Sequence, residues 1–304
     1  MPANTHSGFN QSGTPFARDI EFTTQDFERI RELIYRRAGI VMADNKREMV
    51  YSRLAKRLRL YEMTRFSDYL ASLNANPSSD EWEAFTNALT TNLTAFFREA
   101  HHFPMLAEEI RRRGTSIKIW CAGASTGEEP YSLAMTVQET LGAAAAASVK
   151  ILATDIDTEA LATARQGVYS LESVEKLDEA RCRRFFQRGS GSRQGKARVR
   201  PELAAMIDFR NLNLVTNSWS INGPFDVIFC RNVMIYFDKT TQSDILGRFA
   251  GQLKPDGLLF AGHSENFSFL NQVFRLKGQT VYTLASSSPT ARAVSDSARG
   301  GPTK

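Results

Sequence analysis

Only three cysteines, Cys121, Cys182 and Cys230, occur among the 304 residues, and no two of them form a Cys-x-x-Cys pair. That spacing argues against a zinc ribbon or a disulfide framework, and it points to buried free thiols in a reducing compartment. Histidine is equally scarce, with four in the chain. No apolar run approaches the roughly 20 residues of a membrane span, and the N-terminus lacks an apolar signal core. The protein is therefore expected to be cytoplasmic, without membrane insertion, and to act as a monomer.

What is present is an ordinary globular composition. The chain is 42% hydrophobic, enough for one large domain or two smaller ones. Lys and Arg number 38 against 33 Asp and Glu, a net charge of +5. A mild basic excess suits an anionic partner without choosing between nucleic acid, membrane and an acidic protein surface.

The ends, 1–20 and 286–304, are rich in small and polar residues and read as disordered tails. From 21 to 90 the pattern is helical. Phe27, Ile30, Leu33, Ile34 and Tyr35 recur at helical spacing and Gly39 is a natural stop. Asp44 is placed to cap a second helix carrying Val50, Tyr51, Leu54 and Leu58. Shorter helices are expected around 66–73 and from near Ser79, the latter carrying Trp82, Phe85 and Leu89. Residues 91–285 read differently, because after about 115 short β-rich runs alternate with helical ones. The runs fall at 117–121, 149–154, 207–209, 225–230, 258–261 and 280–284. Such alternation predicts an α/β domain with a mostly parallel sheet covered on both faces and an antiparallel hairpin at one edge. The interval 168–205 breaks the alternation. Its Gly-rich turn, Gly189–Gly195, between β-compatible segments fits either a small inserted β-subdomain or a surface loop.

Three segments carry the chemistry. Ile117-Lys-Ile-Trp-Cys-Ala-Gly-Ala-Ser-Thr-Gly-Glu-Glu-Pro-Tyr-Ser132 reads as strand, glycine loop and helix, the arrangement that binds ligands at the carboxyl end of a parallel sheet. Glu128 and Glu129 would repel a pyrophosphate at that helix start but attract an ammonium and a sulfonium, as in S-adenosylmethionine. Alternatively, both acids only complement the helix dipole. Asp155 closes the next strand in Lys150-Ile-Leu-Ala-Thr-Asp155-Ile-Asp157, where an acid can accept from ribose hydroxyls. Asp157 fits better as a helix cap. The strand Phe225–Cys230 ends abruptly in Arg231-Asn232, followed by an aromatic-rich stretch in which Tyr236 reads either as a site residue or as core.

Together these segments resemble the CheR-type chemoreceptor glutamate methyltransferases. Thr90-Thr-Asn-Leu-Thr-Ala-Phe-Phe-Arg-Glu99, His101-His-Phe-Pro104 and Gly262-His-Ser-Glu-Asn266 extend the likeness over about 22–285. The resemblance implies an all-α N-terminal domain and a Rossmann-like methyltransferase sheet with an inserted small antiparallel β-subdomain. It implies S-adenosylmethionine contacts from Asn92, Thr94, Arg98, Glu129, Asp155, Asn213, Leu214, Arg231 and Asn232, with Arg98 and Tyr236 near the transferred methyl. It implies no metal, and methyl-accepting chemoreceptors as partners. Some relatives also hold a receptor C-terminal peptide on the β-subdomain.

A glutamate is already an anion at neutral pH, so no general base is needed, and His101, His102 and His263 are assigned structural roles. On the second helix Lys46, Arg53 and Arg57 fall within about 40° of each other at 100° per residue, and Lys56 borders them. This basic stripe is either a receptor-docking surface or a solvated face. Two rivals remain at this point. A nucleic-acid methyltransferase would use the stripe on phosphates, although Arg231–Tyr236 lacks the Pro-Pro-aromatic form. A noncatalytic receptor adaptor would have lost turnover, although the glycine loop, Asp155 and Tyr236 are intact.

Overall fold

The structure, a computed structural model, describes residues 20–285. The tails expected at 1–20 and 286–304 lie outside the described residues, except for Ile20.

Four helices come first: α1 (Thr24–Ala38), α2 (Arg47–Leu60), α3 (Phe66–Ala75) and α4 (Glu81–Leu89). Thr23 and Asp26 form a reciprocal capping box at the start of α1, and Gly39 ends it in the left-handed region at φ 70°. The apolar stripes read from the sequence converge on one core, in which Ile30, Ile34, Leu54, Leu58, Phe66 and Phe85 are fully buried. Asp44 does not cap α2. It opens a 3-10 turn, Asp44–Lys46, and accepts from Arg31 Nη1 at 2.8 Å. Lys46 therefore lies just before α2 rather than on it.

The helix α5 (His102–Arg113) leads into the sheet domain. Its strands are β1 (Ile119–Ala122), β2 (Ile151–Asp155), β3 (Val168–Ser170), β4 (Phe186–Arg188), β5 (Lys196–Val199), β6 (Ile207–Asn211), β7 (Phe225–Cys230), β8 (Leu253–Ala261), β9 (Phe274–Gly278) and β10 (Val281–Leu284). The intervening helices are α6 (Glu128–Leu141), α7 (Ala143–Ala146), α8 (Thr158–Gln166), α9 (Leu171–Val174), α10 (Glu179–Phe185), α11 (Pro201–Ala204) and α12 (Lys239–Gln252).

Seven strands form the main sheet in the order β6-β2-β1-β7-β8-β10-β9. The first five are parallel, and β10 runs antiparallel to both β8 and β9. The edge hairpin is thus β9 and β10, and β9 is a strand the sequence pattern did not reveal. Alternate residues of β1 serve two cores: Ile119 and Cys121 pack with α5 and α6, while Trp120 and Ala122 pack with Ile245 and Phe249 of α12. That double coverage is why the strand is apolar throughout. Between α8 and β6 a separate three-stranded antiparallel sheet, β3-β5-β4, accounts for the interval that broke the alternation. Cys121 and Cys230 are buried, Cys182 is half-buried, and all three are free thiols.

Strand order reverses between β1 and β7, since β1 leads outward to β2 on one side and meets β7 on the other. A crevice at the carboxyl ends of these strands is the expected ligand position in such a sheet.

Candidate active site

A cavity of about 450 Å³ opens at that crevice, within the roughly 300–1,000 Å³ of small-molecule sites. Its wall is built from Gly123 and Ser125 after β1, Glu129 at the start of α6, Asp155 at the end of β2, Asn213 and Leu214 after β6, and Arg231, Asn232 and Tyr236 after β7. Asn92, Thr94 and Arg98, between α4 and α5, line it as well. The N-terminal helical segment closes the remaining side with Val41, Met42, Lys46 and Met49.

The glycine loop turns tightly. Gly123 sits at φ 109°, and a Cβ there would come within 2.4 Å of Val233 Cγ2. Only glycine fits a left-handed backbone pressed this closely on the loop after β7. Ser125, at φ 48°, donates its backbone N–H to Asp155 Oδ2 at 2.7 Å. Asp155 Oδ1 accepts from Asp157 N at 2.9 Å. Burial pushes the Asp155 carboxyl up from 3.8 to about 6, against the pull of these backbone donors. Asp157 caps α8 through Ala160 N at 2.9 Å and also accepts from Thr90 Oγ1 and Asn92 Nδ2.

Of the two acids in the glycine loop, only Glu129 lines the cavity. Glu128 is buried away from it, accepts from Thr126 Oγ1 at 2.6 Å, and has its pKa raised by burial. The picture of two carboxylates facing one ligand therefore reduces to one. Glu129 in turn accepts from Arg231 Nε at 2.6 Å.

Arg231 is buried, and its guanidinium is committed to the protein: to Glu129, to the Arg98 carbonyl at 2.6 Å, and to His102 Nδ1 at 3.2 Å. His102 Nε2 donates to the Gln279 carbonyl at 2.8 Å. Burial lowers the His102 pKa to about 4, so the ring is neutral at physiological pH. His263 Nδ1 lies 3.1 Å from Glu99 Oε1, which also accepts from Asn232 Nδ2 at 3.3 Å. Burial raises the Glu99 pKa, but the His263 ring and backbone N–H and the Arg231 charge outweigh it and leave the carboxyl below its usual value. Glu99, His101 and His102 bring three ligand-type atoms within 4.8 Å of one another. Both His102 nitrogens, however, already have protein partners.

Sequence reasoning missed Glu265. This buried carboxylate accepts four backbone N–H groups: Asn232 and Gly262 on Oε2 at 3.0 and 2.6 Å, Val233 and Met234 on Oε1 at 2.9 and 2.8 Å. It holds the loop carrying Asn232, itself left-handed at φ 59°, against the end of β8. The Gly262–Asn266 stretch was visible in the sequence, but nothing local says that its acid points inward.

The ten expected cofactor and catalytic residues thus all lie on one cavity, but they are not equivalent. Asn92 is spent on Asp157 and on Ser125 Oγ, Asn213 donates to the Arg37 carbonyl at 2.8 Å, and Arg231 serves Glu129 and Arg98. Arg98 gives one N–H to the Leu93 carbonyl at 2.8 Å, which leaves most of its five donors. The residues expected to dock substrate lie on or beside α2. Lys46 and Lys56 are exposed, Arg53 donates to the carbonyls of Ala88 and Thr90, and Arg57 is paired with Glu81.

Residues 92–283 match the family model described as the CheR methyltransferase SAM-binding domain, and residues 25–90 match the CheR methyltransferase all-alpha domain. A chemotaxis protein methyltransferase of Escherichia coli K12 is 59% identical over 85% of this chain and 90% of its own length. One from Salmonella typhimurium LT2 is 59% identical over 94% and 99%. Chemotaxis protein methyltransferase 2 of Pseudomonas aeruginosa is 52% identical over 88% and 96%.

Proposed function

The chain belongs to the CheR methyltransferase family, and from that premise we propose that it forms glutamate methyl esters on the cytoplasmic helices of bacterial chemoreceptors with S-adenosylmethionine as methyl donor. The observation that carries this reading is the single cavity joining Glu129, Asp155, Arg98 and Tyr236 at the reversal of strand order.

The donor set fits the cofactor. Asp155 carries a carboxylate fixed by two backbone N–H groups, suited to accept from ribose hydroxyls. Glu129 offers an anion to an ammonium group, while Thr94, Asn213, Leu214 and Asn232 complete the wall. Asn92 and Arg231 act by fixing Ser125, Glu129 and the Arg98 backbone. Bound there, S-adenosylmethionine supplies a methyl carbon made electrophilic by its sulfonium, and the products are a methyl ester and a neutral thioether.

The protein's own task is alignment and water exclusion. The attacking glutamate needs no base, since its pKa of about 4.3 leaves it ionised. Arg98 and Tyr236 orient the carboxylate from the wall. A tight ion pair with Arg98 would blunt the nucleophile, so Arg98 positions it. Lys46 and Lys56 face the receptor, with Arg53 and Arg57 behind them. The β3-β5-β4 sheet has open edges suited to an added peptide strand. Titration with receptor C-terminal peptides tests that further contact, and no binding at high concentration removes it.

The test of the activity is transfer of labelled methyl from S-adenosylmethionine to receptor-containing membranes, followed by mild alkali. Label released as methanol supports an ester. Label that resists alkali, or that enters nucleic acid instead, overturns the reading.

A further inference from the structure

Arg98 sits between two residues in the left-handed region, Phe97 at φ 51° and Glu99 at φ 54°. Residues other than glycine enter that region at a cost in backbone energy, and they stay there only where surrounding contacts hold them. A different element holds each member of this triplet. Phe97 N donates to Ser132 Oγ of α6 at 2.9 Å. The Arg98 carbonyl accepts from Arg231 Nη1 at 2.6 Å. Glu99 Oε1 accepts from the His263 backbone N–H at 3.2 Å, from His263 Nδ1 at 3.1 Å and from Asn232 Nδ2 at 3.3 Å. Its Oε2 is buried, accepts no hydrogen bond among the described residues, and lies 3.7 Å from both Arg231 Nη1 and His102 Nδ1. Arg98 and Asn232 line the cavity, whereas Glu99 stands behind its wall.

We propose that Glu99 is a positioning residue: it fastens the Arg98 turn to the loops after β7 and β8, and so aims the Arg98 guanidinium at the substrate carboxylate. This rests on the methyl-transfer reading above. The Arg98 side chain donates to the Leu93 carbonyl, a bond within its own segment that anchors it to nothing beyond. Its direction is therefore set by the backbone on either side. Relaxation of Glu99 out of the left-handed region would turn the Arg98–Glu99 peptide and carry the guanidinium with it. The three donors on Oε1 oppose that turn. All three converge on one oxygen, so the role requires an acceptor at that point rather than a negative charge. The charge of Arg231 is met elsewhere, by Glu129 at 2.6 Å. The same oxygen also holds the Asn232 amide, so one side chain sets the spacing between the Arg98 turn and the β7 loop.

The experiment measures single-turnover methyl transfer to receptor by Glu99→Gln and Glu99→Asp, with cofactor affinity determined separately by calorimetry. Glu99→Gln keeps an acceptor at the Oε1 position and loses the charge. Glu99→Asp keeps the charge and withdraws the acceptor by one methylene. The Asp variant is expected to transfer methyl about tenfold or more slowly, and the Gln variant within about threefold of wild type. Cofactor affinity should stay within about threefold in both, since the loss is one of alignment. In an Arg98→Ala background, followed over long incubation, Glu99→Asp should cost about twofold at most, because no guanidinium is left to aim. His263→Ala, an exposed substitution that removes one of the three donors, should slow transfer a fewfold and supplies the same test if the Asp variant does not fold. A folded Asp variant at the wild-type rate, a Gln variant as slow as the Asp variant, or a loss undiminished without Arg98 overturns the positioning role and leaves methyl transfer standing. Failure of the wild type to methylate receptor at all overturns both.

Discussion

Asp155 is asked to be both half-buried and ionised. Its burial raises the pKa to about 6, because a carboxylate loses hydration that two backbone N–H groups only partly replace. A raised carboxyl pKa means that the folded protein holds the proton more tightly than the unfolded chain. The group's contribution to stability is therefore full below 3.8 and lost as pH rises through 6. Ligand binding should run the opposite way. If ribose is bound by the carboxylate, cofactor affinity should fall as pH is lowered through about 6, and Asp155→Asn should bind at least tenfold more weakly with that pH dependence gone. Calorimetry from pH 5 to 8 checks this, and a wild-type affinity flat across about pH 6 counts against the ribose assignment. Glu265 is the second residue with a sharp consequence. Glu265→Gln replaces one of two accepting oxygens by a donor, leaving two backbone N–H groups facing it. Each buried donor so orphaned costs roughly 1–3 kcal/mol. The Asn232–Tyr236 loop should loosen, so kcat should drop about tenfold or more while cofactor affinity changes only a fewfold. A single-turnover assay separates the two, and an unchanged kcat in a folded variant removes the positioning role. Asp155 was legible because its place at the end of a strand after a glycine loop is a local signal. Glu265 was not, because three of its four partners lie more than 30 residues away on the chain.

At the scale of elements, α2 shows how far a basic stripe can be read. The 100° spacing put Arg53 and Arg57 together correctly, but angular position says nothing about what a side chain touches across the core. Arg57 is paired with Glu81, which also accepts from the Tyr61 and Tyr69 hydroxyls at 2.8 and 2.7 Å. Reversing charge at Arg57 should therefore lower stability by roughly 1–3 kcal/mol and confuse docking with folding. Lys46→Glu with Lys56→Glu avoids that problem. This pair should raise the receptor KM severalfold at low salt, progressively less as salt is added, with the melting temperature nearly unchanged. A KM that stays at the wild-type value across the salt series would make the stripe a solvated face. Other element boundaries failed for local reasons. Asp44 has the chemistry of a cap, yet it forms a 3-10 turn against Arg31 because Arg31 supplies a partner from α1. The strand β9 escaped notice because it is a short edge strand in which Phe274 alone is buried and Leu276 is exposed, so its alternation marks little core.

For the whole molecule, the cavity belongs to no single segment. The N-terminal helices supply Val41, Lys46 and Met49, and the sheet supplies the acids. The two parts are held by Asn213 Nδ2 on the Arg37 carbonyl, by Val41 N on the Tyr236 carbonyl at 2.8 Å, and by the Tyr35 hydroxyl on Asp238 at 2.6 Å. Contacts spanning some 200 residues leave no local trace, so the sequence showed a helical part and a sheet part without showing that one walls the other. The sheet's alternation and the glycine loop were legible, since period and turn chemistry are local. The most direct test of the account is to identify the methylated atom. Receptor incubated with the purified protein and S-adenosylmethionine should, after proteolysis and mass spectrometry, carry alkali-labile methyl groups on glutamate side chains, and Asp155→Ala should abolish them at limiting cofactor. Methyl groups found on lysine, on nucleic acid or on no residue of the receptor would contradict it.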